Sequence, residues 1–304
     1  MRTGVAGVGH LGYHHARILR SLASEVRVHD LDGRRADTVA SELGVESVSS
    51  LEALVDWCDA LVVACTTSSH HSVAMKALGA GRHILVEKPI AATGAQAREM
   101  EQAARAAGAV LAVGHVERFN PAVVAASNLL QKPLFVEGHR MSPFKTRGTD
   151  VSVVMDLMIH DIDLVLSFMK APVTGISASG VAVLTDSVDI ASARISFADG
   201  AVANMTASRI SKEPLRKLRF FQQKRYVAVD FAARSVEALE VRGDSIVPIE
   251  VEVPETDPLT EELKDFLECC RTGACPVVGA ADGVRALETA ELILATISSA
   301  TRAC

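Results

Sequence analysis

From Thr3 to Gly114, short apolar runs alternate with longer helical patterns. The runs are Val5-Ala6, Val26 to His29, Ala60 to Ala64, His83 to Val86 and Ala109 to Val113. The stretches between them, Leu11 to Leu22, Arg34 to Leu43, Ser72 to Leu78 and Ala95 to Ala106, are rich in alanine. Gly44, Gly79, Gly81 and Gly108 stand where such helices should stop. Strand alternating with helix predicts a parallel sheet wrapped by helices, and right-handed crossovers make it doubly wound.

The pattern changes after Asn120-Pro121, which reads as a hinge. Beyond about Asp189, apolar Ala191, Ala193, Ile195 and Phe197 alternate with polar positions. Asp199-Gly200 is a turn signal, and Ala201, Ala203, Met205 and Ala207 resume the period of two, which predicts a hairpin. Further strands are expected at Leu215 to Gln222 and Tyr226 to Asp230, and helices at Leu259 to Cys270 and Gly283 to Ile297. The expected organisation is two domains, 1–120 and 121–304, the second α+β with a large, mostly antiparallel open sheet.

Composition narrows the function classes. The 304 residues carry 31 Lys+Arg against 37 Asp+Glu, a net charge of −6 that argues against a nucleic-acid partner. Aromatics at 4% offer little stacking surface for bases or glycans. No apolar run reaches the roughly 18 residues of a membrane span, and Gly7, Gly9, His10, His14 and His15 interrupt any signal-peptide core. The six cysteines, Cys58, Cys65, Cys269, Cys270, Cys275 and Cys304, form no C-x-x-C pair. A disulfide framework and a zinc site are therefore both unsupported, and a reducing cytoplasm is the simplest compartment. His14 and His15 are expected to be partly exposed, without a role.

Gly7-Val8-Gly9-His10-Leu11-Gly12 follows a strand and opens a helix. Its glycines permit a tight turn, close backbone approach to a pyrophosphate, and tight helix-sheet packing, with the helix N-terminus facing the anion. Asp30 ends the second strand 18 positions beyond Gly12, near the distance expected for a carboxylate on a ribose 2′-hydroxyl. The first domain is thus expected to be an α/β Rossmann fold. A carboxylate there repels a 2′-phosphate, so NAD is expected rather than NADP; Arg34 and Arg35 read as a solvated first helical turn.

At Glu87-Lys88-Pro89 the chain resembles the glucose-fructose oxidoreductase / inositol dehydrogenase family, whose fifth strand ends in this tripeptide, and the resemblance covers nearly the whole chain. Ala64, Thr66 and His70, leading into Ala80 to Pro89, look like the family's fourth and fifth βαβ units; Thr67 departs from the proline of many members. The resemblance implies dinucleotide contacts from Thr66, His70, Glu87 and Lys88. A second family mark is Asp156-Leu157-Met158-Ile159-His160, whose i,i+4 spacing stacks Asp156 and His160 on one helix face. By the family pattern Lys88, Asp156 and His160 converge on a reacting hydroxyl.

Removing hydride from a secondary alcohol requires a base for the hydroxyl proton. Histidine is the side chain whose ordinary range lies nearest neutral pH, which makes His160 a candidate base; Lys88 either shares that role or stabilises the developing alkoxide, and the sequence does not apportion the two. Asp156 reads as an orienting acceptor or hydroxyl-binding group. No metal is needed for this chemistry.

Val113 to Pro121 and Arg140 to Arg147 resemble a narrower branch, the UDP-N-acetylglucosamine 3-dehydrogenases that precede an aminotransferase in making diamino sugars for lipid A. Arg140, Lys145 and Arg147 would then present cations to a diphosphate from one loop, or else simply be solvated. His115, Glu117 and Arg118 follow the sixth strand, at the edge where open α/β sheets bind ligands, although Arg118 suits a structural ion pair as well. The expected reaction is NAD-dependent oxidation of the 3-hydroxyl of UDP-N-acetylglucosamine. Rival readings are a dehydrogenase of free sugars or polyols such as inositol, and a non-catalytic dinucleotide sensor. The large second sheet, with more strands than one helical layer covers, implies a homodimer or homotetramer.

Overall fold

A computed structural model describes residues 1–144 and 151–302, with side chains through Ser299. The chain divides into two compact units, Met1–Val116 with Pro258–Val284, and Glu117–Asp257 with Arg285–Cys304.

The first unit alternates strand and helix: β1 (Arg2–Ala6), α1 (His10–Leu22), β2 (Glu25–His29), α2 (Gly33–Leu43), β3 (Glu46–Ser47), α3 (Leu51–Trp57), β4 (Ala60–Val63), α4 (Thr67–Gly79), β5 (His83–Glu87), α5 (Gly94–Ala107) and β6 (Leu111–Gly114). The sheet is parallel with order β3-β2-β1-β4-β5-β6, so the strand order reverses between β1 and β4. Ala60 to Val63 are all buried, as a strand covered on both faces requires. Gly44 and Gly108 end α2 and α5 in the left-handed conformation, at φ 63° and 62°. Glu46–Ser47 and Leu51–Trp57 had no strong sequence signal: the strand is two residues long and the helix seven.

The second unit comprises α6 (Pro121–Ser127), β7 (Phe135–Met141), a π-helical turn (Val154–Met158), α7 (Ile159–Phe168), β8 (Val173–Val181), β9 (Ile190–Phe197), β10 (Val202–Ser208), β11 (Leu215–Gln222), β12 (Arg225–Asp230), β13 (Ser235–Arg242) and β14 (Ser245–Ile249). Its sheet runs β14-β13-β12-β11-β7-β10-β9-β8, antiparallel at every pairing except the parallel β7–β10 pair. One face carries Ala193, Ile195, Ala203, Met205, Val136, Leu218 and Phe220 into a core with Val154, Met158, Ile162, Ala290 and Ile293.

Two helices close the chain, α8 (Pro258–Thr272) and α9 (Ala280–Arg302). The sequence reading placed everything after residue 120 in the second domain. Instead, 258–284 clusters with the first unit, because Leu263, Phe266 and Leu267 of α8 join the core of Val5, Leu19, Val62 and Leu85.

Candidate active site

In the first unit the sequence-predicted residues collect at the carboxyl ends of β1, β2, β4, β5 and β6. The loop from Gly7 to Gly12 requires its glycines for specific steric reasons. Gly7 has φ 87°, and a Cβ there would lie 2.6 Å from the backbone of Cys65; one at Gly12 would lie 1.8 Å from the Gly7 carbonyl oxygen. A Cβ at Gly9 would meet no atom within 4 Å, which leaves the backbone approachable from outside. Val8 is buried, while His10 and Leu11 are exposed at the start of α1.

Helices α2, α3, α5 and α6 receive side-chain caps from Asp32, Ser50, Thr93 and Asn120. By contrast, α1 begins at Gly9 and α4 at Thr66 without a side-chain cap. Donors at the start of α1, next to an open glycine, fit a dinucleotide pyrophosphate. Asp30 is held at the end of β2: its Oδ2 accepts the Val8 N–H at 2.9 Å and its Oδ1 the Asp32 N–H at 2.9 Å. The nearest guanidinium, that of Arg35, stands 3.9 Å away. The carboxylate is thereby aimed beside the glycine loop, where a ribose hydroxyl would be received.

Two residues expected at the cofactor face inward. His70 is buried, with Nδ1 2.9 Å from the Pro89 carbonyl oxygen and Nε2 3.1 Å from that of Cys65, so it ties the ends of β4 and β5 together. Burial pushes this imidazole below its ordinary pKa, against the opposing pull of those carbonyls. Glu87 is buried as well, and the His15 Nε2–H donates to its Oε1 at 2.7 Å. His15 is fully buried rather than partly exposed, because it shares the inward face of α1 with Gly12, Ala16 and Leu19. Lys88 follows at the strand end, half-buried, its backbone N–H directed to Glu87 Oε2 at 3.3 Å. His115 is buried just past β6.

In the second unit Asp156 and His160 are half-buried. Asp156 lies within the π-helical turn, and α-helical winding begins only at Ile159. The wider turn offsets Asp156 from the simple i,i+4 stacking expected of a regular helix, and such turns recur at functional sites. Arg118 forms a two-pronged pair with Asp163, at 2.7 and 3.0 Å, as the ion-pair alternative anticipated.

Arg140 corrects the sequence reading of a cationic loop over 140–147. It belongs to β7 and projects into the core, donating to Asp161 at 2.9 and 2.7 Å and to Glu117 at 2.9 Å, over the Phe231 ring. Burial opposes its charge, but Asp161 and Glu117 more than offset that and hold the guanidinium protonated. Arg147 and Lys145 lie outside the described residues.

Sequence reasoning missed Glu262. It is buried on α8, and among the described residues His15, Glu87 and Glu262 form a group whose potential ligand atoms lie within 4.8 Å of one another. The available signal was its helical position beside the apolar stripe of Leu259, Leu263 and Phe266.

Residues 1–115 match the oxidoreductase family with NAD-binding Rossmann fold, GFO/IDH/MocA, and residues 124–227 match the GFO/IDH/MocA C-terminal domain. The chain is 39% identical over 275 residues to a UDP-N-acetylglucosamine 3-dehydrogenase of Acidithiobacillus ferrooxidans, covering 88% of each chain. The solved structure of the UDP-N-acetylglucosamine 3-dehydrogenase from that organism superposes with a TM-score of 0.95 over 98% of both chains, at 36% identity. A scyllo-inositol 2-dehydrogenase (NAD(+)) of Bacillus subtilis is 29% identical over 95% of this chain and 91% of its own.

Proposed function

The chain belongs to the GFO/IDH/MocA family of NAD-binding oxidoreductases, and from that premise we propose that it oxidises the 3-hydroxyl of UDP-N-acetylglucosamine to the 3-keto nucleotide sugar. The observation that carries this reading is the likeness to the Acidithiobacillus ferrooxidans enzyme, in sequence over 88% of the chain and in fold over 98%. Likeness to the inositol dehydrogenase is weaker in sequence, at 29%.

NAD, when bound, supplies the hydride acceptor. The glycine loop and the N-terminus of α1 would hold its diphosphate, and Asp30 would receive the ribose. Lys88, His160 and Asp156 manage the hydroxyl proton: one of Lys88 and His160 takes it as the carbonyl forms, the other stabilises developing negative charge, and Asp156 orients. With Arg140 already matched by two carboxylates, the charge on a substrate diphosphate has to be met by other groups.

No helix among the described residues is long and apolar enough to cross a membrane. We place the enzyme in the cytoplasm as a homodimer or homotetramer assembled through the second sheet. Its product is a ketone of the kind an aminotransferase consumes, which fits supply of diamino sugars to lipid A.

The experiment is NADH appearance with UDP-N-acetylglucosamine, N-acetylglucosamine and inositol, each with NAD and with NADP, and with a trap that consumes the ketone. Turnover is expected with the UDP sugar and NAD. Equal activity on the free sugar, or activity on inositol instead, overturns the nucleotide-sugar reading and leaves the polyol alternative; preference for NADP removes the role given to Asp30.

A further inference from the structure

Behind the strand end that carries Lys88 lies a buried cluster of three ionisable side chains. His15 comes from α1, Glu87 from the last position of β5, and Glu262 from α8, and their potential ligand atoms all lie within 4.8 Å of one another. His15 donates to Glu87 Oε1 at 2.7 Å, and Glu87 Oε2 receives the Lys88 backbone N–H at 3.3 Å. Both carboxyl oxygens of Glu262 are buried and make no hydrogen bond among the described residues, although the residue is only 3% exposed.

Two carboxylates this close, in a dry setting, do not both stay ionised. Glu87 has compensating neighbours in His15, Lys88 and His70, while Glu262 faces Glu87 and, along its own helix, Asp265. A proton on Glu262 removes the repulsion and supplies a donor beside Glu87, while the buried His15 Nδ1 has no partner among the described residues. A divalent ion in the same place would also neutralise the group. However, two ligands on one tetrahedral ion stand roughly 3.3 Å apart, and the His15–Glu87 separation of 2.7 Å is that of a direct hydrogen bond.

We propose that Glu262 is a protonated carboxylic acid in the working protein and a positioning residue, which completes a buried His15–Glu87–Glu262 hydrogen-bonded group and so fixes the peptide that presents Lys88. The consequence for turnover rests on the catalytic role proposed for Lys88; the protonation state does not. Burial first, and then Glu87 and Asp265, push the Glu262 carboxyl well above the ordinary glutamate value. A raised acid favours the folded state below its unfolded pKa and loses that contribution as pH rises toward the folded value.

The test compares wild type, Glu262→Gln and Glu262→Ala, all full length, by melting temperature against pH, by the pH profile of kcat/KM for sugar oxidation, and by metal analysis. Glutamine keeps the shape and a donor without a titrating proton. Glu262→Gln is expected to retain activity within about twofold, to keep the wild-type pH profile, and to gain stability over wild type progressively as pH rises above the ordinary glutamate value toward the raised folded value. Glu262→Ala is expected to lose about tenfold in kcat with little change in KM. A pH-independent stability difference, or Glu262→Gln failing as Glu262→Ala does, overturns the proposal. So does one equivalent of divalent metal in wild type that disappears in Glu262→Gln. If Lys88 proves dispensable for turnover, the activity arm fails while the stability arm stands, which separates the two readings.

Discussion

Lys88 illustrates how much of a site one residue's context decides. Its position at the end of β5, next to Glu87 and before Pro89, was readable from the tripeptide; its support was not. Lys88→Met is expected to lower kcat by about 10²–10⁴-fold, the range for losing a group that handles a proton in the transition state. The measurement is steady-state NADH formation, with melting temperature as the control for folding. Retained turnover would remove Lys88 from the chemistry and shift the base to His160. Arg140 shows the opposite case. Its charge drew attention in the sequence, yet two carboxylates in its own unit absorb it.

At the scale of elements, the glycine loop is where local sequence and tertiary packing agree most closely. Because a Cβ at Gly12 would sit 1.8 Å from the Gly7 carbonyl oxygen, Gly12→Ala forces α1 away from the loop. The expected result is destabilisation of about 2–3 kcal/mol and loss of NAD binding, followed by denaturant unfolding and NAD titration. A second element depends on one carboxylate. Asp189 Oδ2 accepts the N–H groups of Val183, Leu184 and Thr185 at 2.8, 2.6 and 2.9 Å, and Oδ1 accepts the Thr185 hydroxyl. Burial opposes ionisation, but these donors outweigh it and hold the carboxyl below the usual aspartate range. A lowered acid stabilises the fold above its unfolded pKa, about 3.9, and loses that contribution as pH falls. Asp189→Asn is therefore expected to cost about 2–3 kcal/mol near neutral pH, with the difference from wild type shrinking on acidification below the ordinary aspartate value. A cost that persists unchanged in acid would show that shape, not charge, matters there.

For the whole molecule, the proposed assembly rests on the second sheet. Its outward face carries the Glu137–Arg219 pair at 2.8 Å and a cross-strand aromatic row of Phe135, Phe221 and Tyr226, with Phe135 and Phe221 37% and 39% exposed. A polar face with an exposed aromatic anchor is the make-up of a protein interface. Sedimentation at micromolar concentration is expected to give a dimer or tetramer, and Phe221→Asp to shift it toward monomer. A wild-type monomer would sink the assembly reading.

The sequence by itself determined what short-range pattern controls. The alternation of strand and helix, the positive-φ glycines that end α2 and α5, and the hairpin at Asp199-Gly200 all rest on residues near one another in the chain. The glycine loop and Asp30 were found for the same reason, whereas Lys88 and Glu87 were singled out by the family resemblance. Only the tertiary structure decided which charges are already matched and which unit α8 joins. His15 and Glu87 meet across 72 positions and Arg140 and Asp161 across 21, so no local pattern encodes them. The physical reason is desolvation: whether a charged side chain faces a ligand or a buried partner depends on what the fold packs against it, and that is settled only when distant segments close the core.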